Sequence, residues 1–88
     1  MSQTEAEKEV RDDYDLMSRI LVGERDAMEQ LYDRYSGVVL GLCLNVLGNR
    51  QDGEDCVIDI FMELWQRADR YDPTRSAPLP YILMLSRS

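Results

Sequence analysis

Apolar residues recur along this chain in steps of three and four, the repeat of one-sided helices rather than the alternation of strands. Tyr14, Met17, Ile20 and Leu21 form the first such stripe. Asp12 and Asp13 stand before it, suited to capping a helix start, and Gly23 follows as a stop. Residues 1–11 show no apolar period and are expected to be a disordered lead-in. Asp26 opens a second helix whose stripe is Met28, Leu31, Tyr32 and Tyr35, with Glu29, Asp33 and Arg34 on the other face. Ser36 and Gly37 are expected to interrupt or kink it. Residues 38–47, VVLGLCLNVL, are apolar all round except at Gly41 and Asn45. That composition suits a central helix covered on several sides, and equally a buried strand. Helix is preferred because no second strand-like run exists to pair with.

Gly48 and Asn49 make a turn, and residues 51–68 form the clearest helix. Asp52, Glu54 and Asp55 lie near its positive end, and Val57, Ile60, Phe61 and Leu64 make its core stripe. Tyr71-Asp72-Pro73 ends the segment, because a residue before proline is pushed out of helical conformation. A loop containing Pro73, Pro78 and Pro80 leads to a last helix at Tyr81, Ile82, Leu83 and Leu85, with Pro78 or Pro80 in its first turn. The fold class read from this pattern is all-α, a small bundle of four to five helices over residues 12–88. The helical pattern reaches Ser88 without a stop signal, as expected of a chain truncated within a longer protein.

Eighty-eight residues, 44% apolar and 31% charged, suit one soluble domain with a modest core. No run approaches the roughly 18 apolar residues of a membrane span, and the polar start is unlike a signal peptide, so a cytoplasmic location is expected. The sequence has no histidine, and its two cysteines, Cys43 and Cys56, lack metal-ligand spacing. Both are expected to be reduced, buried and structural. No phosphate loop, nucleophile motif or metal cluster is present, so neither an enzyme nor a cofactor is expected.

The net charge of −7 argues against sequence-independent grip on duplex DNA. The charge is unevenly spread. Residues 1–65 hold 15 acidic and 6 basic side chains, and residues 66–88 hold 2 acidic and 4 basic ones. Nucleic-acid contact therefore belongs to the C-terminal quarter. There Arg67, Arg70, Arg75 and Arg87 interleave with Tyr71 and Tyr81. Such a mixture suits single strands, where guanidinium groups take phosphates and rings stack on bases, but the tyrosines also fit as core-edge residues. On the long helix, at about 100° per residue, Trp65, Ile58 and Met62 fall beside the core stripe, followed by Asp55, Gln66 and Asp59. This second stripe is either a docking face or a surface covered by the first helix.

The run from Leu21 to Pro73 resembles, element by element, the region-two domain of extracytoplasmic-function (ECF) sigma factors. The pieces that carry the resemblance are LYDRY at residues 31–35, the Gly48-Asn49-Arg50 turn with Glu54-Asp55, and Phe61, Leu64 and Trp65 leading to Tyr71-Asp72-Pro73. It implies that Asp55, Ile58, Asp59, Met62 and Trp65 bind the beta-prime clamp helices of core RNA polymerase. It also implies that Arg67, Arg70, Tyr71, Arg75, Tyr81 and Arg87 bind promoter DNA, melting the minus-ten element and holding its single-stranded non-template strand. An anti-sigma factor is an implied further partner. Ile58 replaces the family's usual glutamine, Asp59 its glutamate and Tyr81 its tryptophan. The other reading of the same residues is a helical protein-interaction or sigma-like regulatory module without promoter-melting activity.

Overall fold

Two glycines with left-handed backbone set the chain reversals. Gly23, at φ +89°, turns the chain between the first two helices, and Gly48, at φ +69°, closes the second. A side chain at either φ would be strained, so glycine is the natural residue there. The computed structural model describes residues 4–86. Helix α1 is Glu5–Leu21, α2 is Arg25–Leu47, α3 is Arg50–Gln66 and α4 is Pro78–Leu85. A single 3-10 turn, Ala68–Arg70, follows α3. The described residues contain no strand, and the all-α bundle expected from the periodicity is what forms.

Helix α1 starts earlier than its apolar pattern does. Thr4 accepts a hydrogen bond from the Glu7 amide at 3.1 Å, and Glu5 and Glu7 sit favourably at the positive end. The segment expected as a lead-in is therefore helical from Glu5 onward, stabilised by a cap rather than by burial. Asp12 and Asp13 are interior to the helix and cap nothing. Its core face is Leu16, Met17 and Ile20, whereas Leu21 is exposed at the C-terminal end. Glu24, the residue before α2, accepts from Arg19 Nε at 2.6 Å, tying the end of α1 to the start of α2.

Helix α2 runs without a break through Ser36 and Gly37, correcting the expected interruption. Leu31 and Val39, on either side, are fully buried in one core, and that packing offsets the weak helix propensity of the pair. Nor is residues 38–47 buried all round. Val39 and Cys43 enter the core, while Val38, Val46 and Leu47 are exposed.

Asn49 links α2 to α3, its side chain accepting from the Asp52 amide at 3.1 Å. With only Gly48 and Asn49 between them, α2 and α3 fold as an antiparallel hairpin. The two helices pack tightly at Gly53, where a Cβ would lie 2.9 Å from Leu44 Cδ2 and 3.4 Å from Leu40 Cδ1. Val57, Ile60, Phe61 and Leu64 bury the stripe read from the sequence, and the edge of Tyr32 meets Phe61 at 4.9 Å between ring centres. Helix α3 ends at Gln66, two residues short of the expected Ala68, which starts the 3-10 turn. Pro78 takes the first position of α4, and Ile82 carries that helix into the core against α1 and α3.

Candidate functional site

Helix α3 has two faces, and the second one stays open. Ile58 is 53% and Met62 49% exposed, far above the residues of the neighbouring core stripe. Asp55 and Asp59 are exposed beside them, and Trp65 is half-buried, its ring resting on the core. The first helix does not cover this stripe. It packs instead on α2, the 3-10 turn and α4. Asp55 accepts from Gln51 Nε2 at 3.1 Å, one turn earlier, which orients its carboxylate on the surface.

A shallow groove flanks each end of the stripe. One, of about 280 Å³, lies between α2 and α3 and is lined by Tyr32, Ser36, Gly37, Leu40, Glu54, Val57 and Ile58. The other, of about 400 Å³, runs from Ile20, Leu21 and Gly23 to Trp65, Gln66, Ala68 and Asp69. Leu21, 57% exposed, and Val22, 75% exposed, rise beside this second groove. The periodicity of α1 assigns Leu21 to the core, so this extension of the apolar surface was not readable. It arises because Leu21 is the last residue of α1, at the end of the packed face of Leu16, Met17 and Ile20.

The arginine-tyrosine segment is a second surface with its own internal order. Tyr71 donates its hydroxyl to the Ser76 carbonyl at 2.7 Å, spanning the loop. Its ring meets that of Tyr81 at 5.0 Å, with the planes 58° apart. Both tyrosines are half-buried. Burial, followed by the neighbouring Tyr14 phenol, pushes Tyr71 up to about 12, and burial likewise raises Tyr81. Asp72 Oδ1 accepts from the Thr74 hydroxyl at 2.7 Å and the Thr74 amide at 2.9 Å. These bonds hold its carboxyl below the usual range. The turn they make leaves Arg75 exposed, and Arg67 and Arg70 are exposed on the preceding turn. None of these three arginines forms an ion pair among the described residues. Arg87 lies outside the described residues.

The structure thus brings Tyr71 and Tyr81 together as one packed pair, in a segment whose Arg67, Arg70 and Arg75 are exposed. No group of cysteine, aspartate and glutamate among the described residues is arranged to hold a metal ion. Among the described residues, no helix is long and apolar enough to cross a membrane.

Comparison with known families decides what this arrangement belongs to. The model for sigma-70 region 2 matches residues 31–88, covering most of α2 and everything after it. The chain belongs to the sigma-70 region 2 family. Among curated proteins, it is 35% identical over 71 residues to an ECF RNA polymerase sigma factor, SigK, of Mycobacterium ulcerans (strain Agy99), covering 81% of this chain. It is 35% identical over 79 residues to the SigK of Mycobacterium sp. (strain KMS), covering 88% of this chain. The SigK of Mycobacterium tuberculosis (strain ATCC 25177 / H37Ra) is 27% identical over 71 residues, again covering 81%. These relatives make it a region-two domain of the ECF type. The matched part is 38% of the first and third relatives and 40% of the second, so the chain spans about two fifths of their length. No solved structure matches. Within this sigma region, the α3 stripe and the arginine-tyrosine segment both lie inside the matched residues.

Proposed function

We propose that this domain is a transcription initiation module that docks on the beta-prime clamp helices of core RNA polymerase and captures the opened promoter strand. The observation that carries this reading is the stripe of exposed Asp55, Ile58, Asp59 and Met62 beside half-buried Trp65 on α3, apolar along its middle and acidic at its edge. An interface of this kind draws affinity from its desolvated centre, while the carboxylates steer a basic partner and fix the register. An anti-sigma factor competing for the domain would use the same stripe.

The second surface serves the non-template strand of the minus-ten element. Arg67, Arg70 and Arg75 neutralise phosphates, and the Tyr71–Tyr81 pair offers ring surface to an extruded base, each stacked base contributing about 1–3 kcal/mol. The domain does no chemistry in this scheme. Contacts to the extruded strand offset the few kcal/mol lost in unstacking it. The packing of the two rings on each other favours one second reading, a sigma-like regulator that occupies polymerase without melting DNA.

The test is binding to a purified beta-prime clamp-helix fragment, with Asp55→Arg as control. Micromolar or tighter binding that the control abolishes supports the reading. A folded domain that does not bind overturns it.

A further inference from the structure

Asp72, Pro73, Thr74 and Arg75 are all exposed, while Tyr71 and Ser76 on either side are half-buried. The hydrogen bond from the Tyr71 hydroxyl to the Ser76 carbonyl, 2.7 Å long, ties those two ends together. Between them the Arg75 amide donates to the Asp72 carbonyl at 3.1 Å, closing a β-turn. Pro73 stands second in that turn, where its fixed φ is favourable. The Asp72 side chain braces the turn a second time, its Oδ1 accepting from the Thr74 amide at 2.9 Å and the Thr74 hydroxyl at 2.7 Å. An aspartate three residues before an arginine is an ordinary ion-pair partner for it. Arg75 nevertheless makes no ion pair among the described residues. Asp72 is engaged with Thr74 instead, and the guanidinium is left open to solvent.

We infer that Asp72 is a positioning residue, whose bonds to Thr74 hold the turn that presents Arg75 to a phosphate of the captured strand. This rests on the reading of the arginine-tyrosine segment as a single-strand surface. A carboxylate beside a nucleic-acid site ordinarily weakens binding, because it repels phosphate. Asp72 strengthens it. An arginine carried on a braced turn loses less freedom on engaging phosphate than one carried on a loose loop. The acceptor oxygen does this work, and the charge does not. Asparagine keeps that oxygen without the charge, whereas alanine removes both. The two substitutions therefore have opposite expected signs. If Asp72 acted by charge alone, both would tighten binding.

The experiment measures binding of the whole chain to a fluorescein-labelled oligothymidylate by anisotropy, across a series of salt concentrations. Arg75→Ala should weaken binding by about threefold and lower the salt slope by about 0.7, the share of one phosphate contact on a single strand. Asp72→Ala should weaken it by about twofold to threefold, and Asp72→Asn should bind at least as tightly as the wild type. Added to Arg75→Ala, Asp72→Ala should cause no further loss, because it acts through that arginine. Circular dichroism should be unchanged throughout, since both residues are exposed and lie outside the helices. An Asp72→Ala variant that matches Asp72→Asn, or that weakens binding equally without Arg75, overturns the inference and leaves the strand reading standing. A wild-type chain that does not bind, or that binds as well after Arg75→Ala, overturns the strand reading at this turn and the inference with it.

Discussion

Asp13 on α1 receives Arg34 Nη1 on one carboxylate oxygen at 2.6 Å and the Tyr35 hydroxyl on the other. It is 2% exposed, the one charged residue buried among those described, and both of its oxygens are occupied by α2. Arg34 Nη1 also reaches the Glu9 carbonyl at 3.3 Å. The cluster fixes the register of α1 against α2, and through α2 the position of the α3 stripe.

Removing that carboxylate leaves a partly buried guanidinium and a phenol without their acceptor. Asp13→Ala should cost about 2–3 kcal/mol, less than a wholly buried pair because Arg34 is partly exposed. Urea denaturation monitored by circular dichroism checks this. A loss below about 0.5 kcal/mol would show that the cluster does not hold the helices together.

Alkaline pH should unfold the domain through its buried acids. Burial first, then the hydrogen bond to Asp13, pushes Tyr35 up to about 12 from an ordinary 10.0, while Tyr71 also rises to about 12 and Cys43 to about 11 from 9.0. Folded values above unfolded ones mean that this stabilisation is complete below the unfolded values and lost as pH rises through the folded ones. Urea midpoints should therefore hold up to about pH 9 and decline towards pH 12. Tyr35→Phe should make that decline shallower, and an unchanged slope would assign it to other groups.

The α3 stripe should separate binding from stability. Ile58→Ser and Met62→Ser remove side chains about half exposed, so each should change stability by no more than about 0.5 kcal/mol. Affinity for the clamp-helix fragment should fall by about tenfold or more for each. Trp65→Ala is a poorer probe because the ring also packs on the core. Unchanged affinity in both serine variants would move the docking surface elsewhere.

Gly41 lies in α2 with nothing within 4 Å of where a Cβ would stand, and its φ is not positive. Gly41→Ala should therefore raise stability by about 0.5–1 kcal/mol. At Gly53 the same change meets Leu44 at 2.9 Å, and Gly53→Val should destabilise by about 1–3 kcal/mol. Thermal melts of the two variants should shift in opposite directions.

Much of the candidate site was legible because it sits on single helices. Ile58, Met62 and Trp65 fall on one side of α3 by helical repeat alone, and Arg67 to Arg75 follow one another along the chain. That the stripe stays uncovered was not legible. It depends on α1 packing against α2 and α4 instead. The exposure of Leu21 beside Trp65 likewise follows from its place as the last residue of α1.

By itself the sequence determined that the chain is helical, where Gly23 and Gly48 stop the first two helices, and which stripe of α3 is buried. These are choices made within a turn or two, where period, caps and prolines act directly. Only the tertiary structure decided that Asp13 serves Arg34 and Tyr35, 21 and 22 residues away, rather than capping its helix. It also carried α2 through Ser36 and Gly37, left one flank of residues 38–47 open and packed Tyr71 on Tyr81. The reason is physical. A buried charge or a weak helix former is tolerated according to the groups packed against it, and those come from distant segments that local periodicity does not describe.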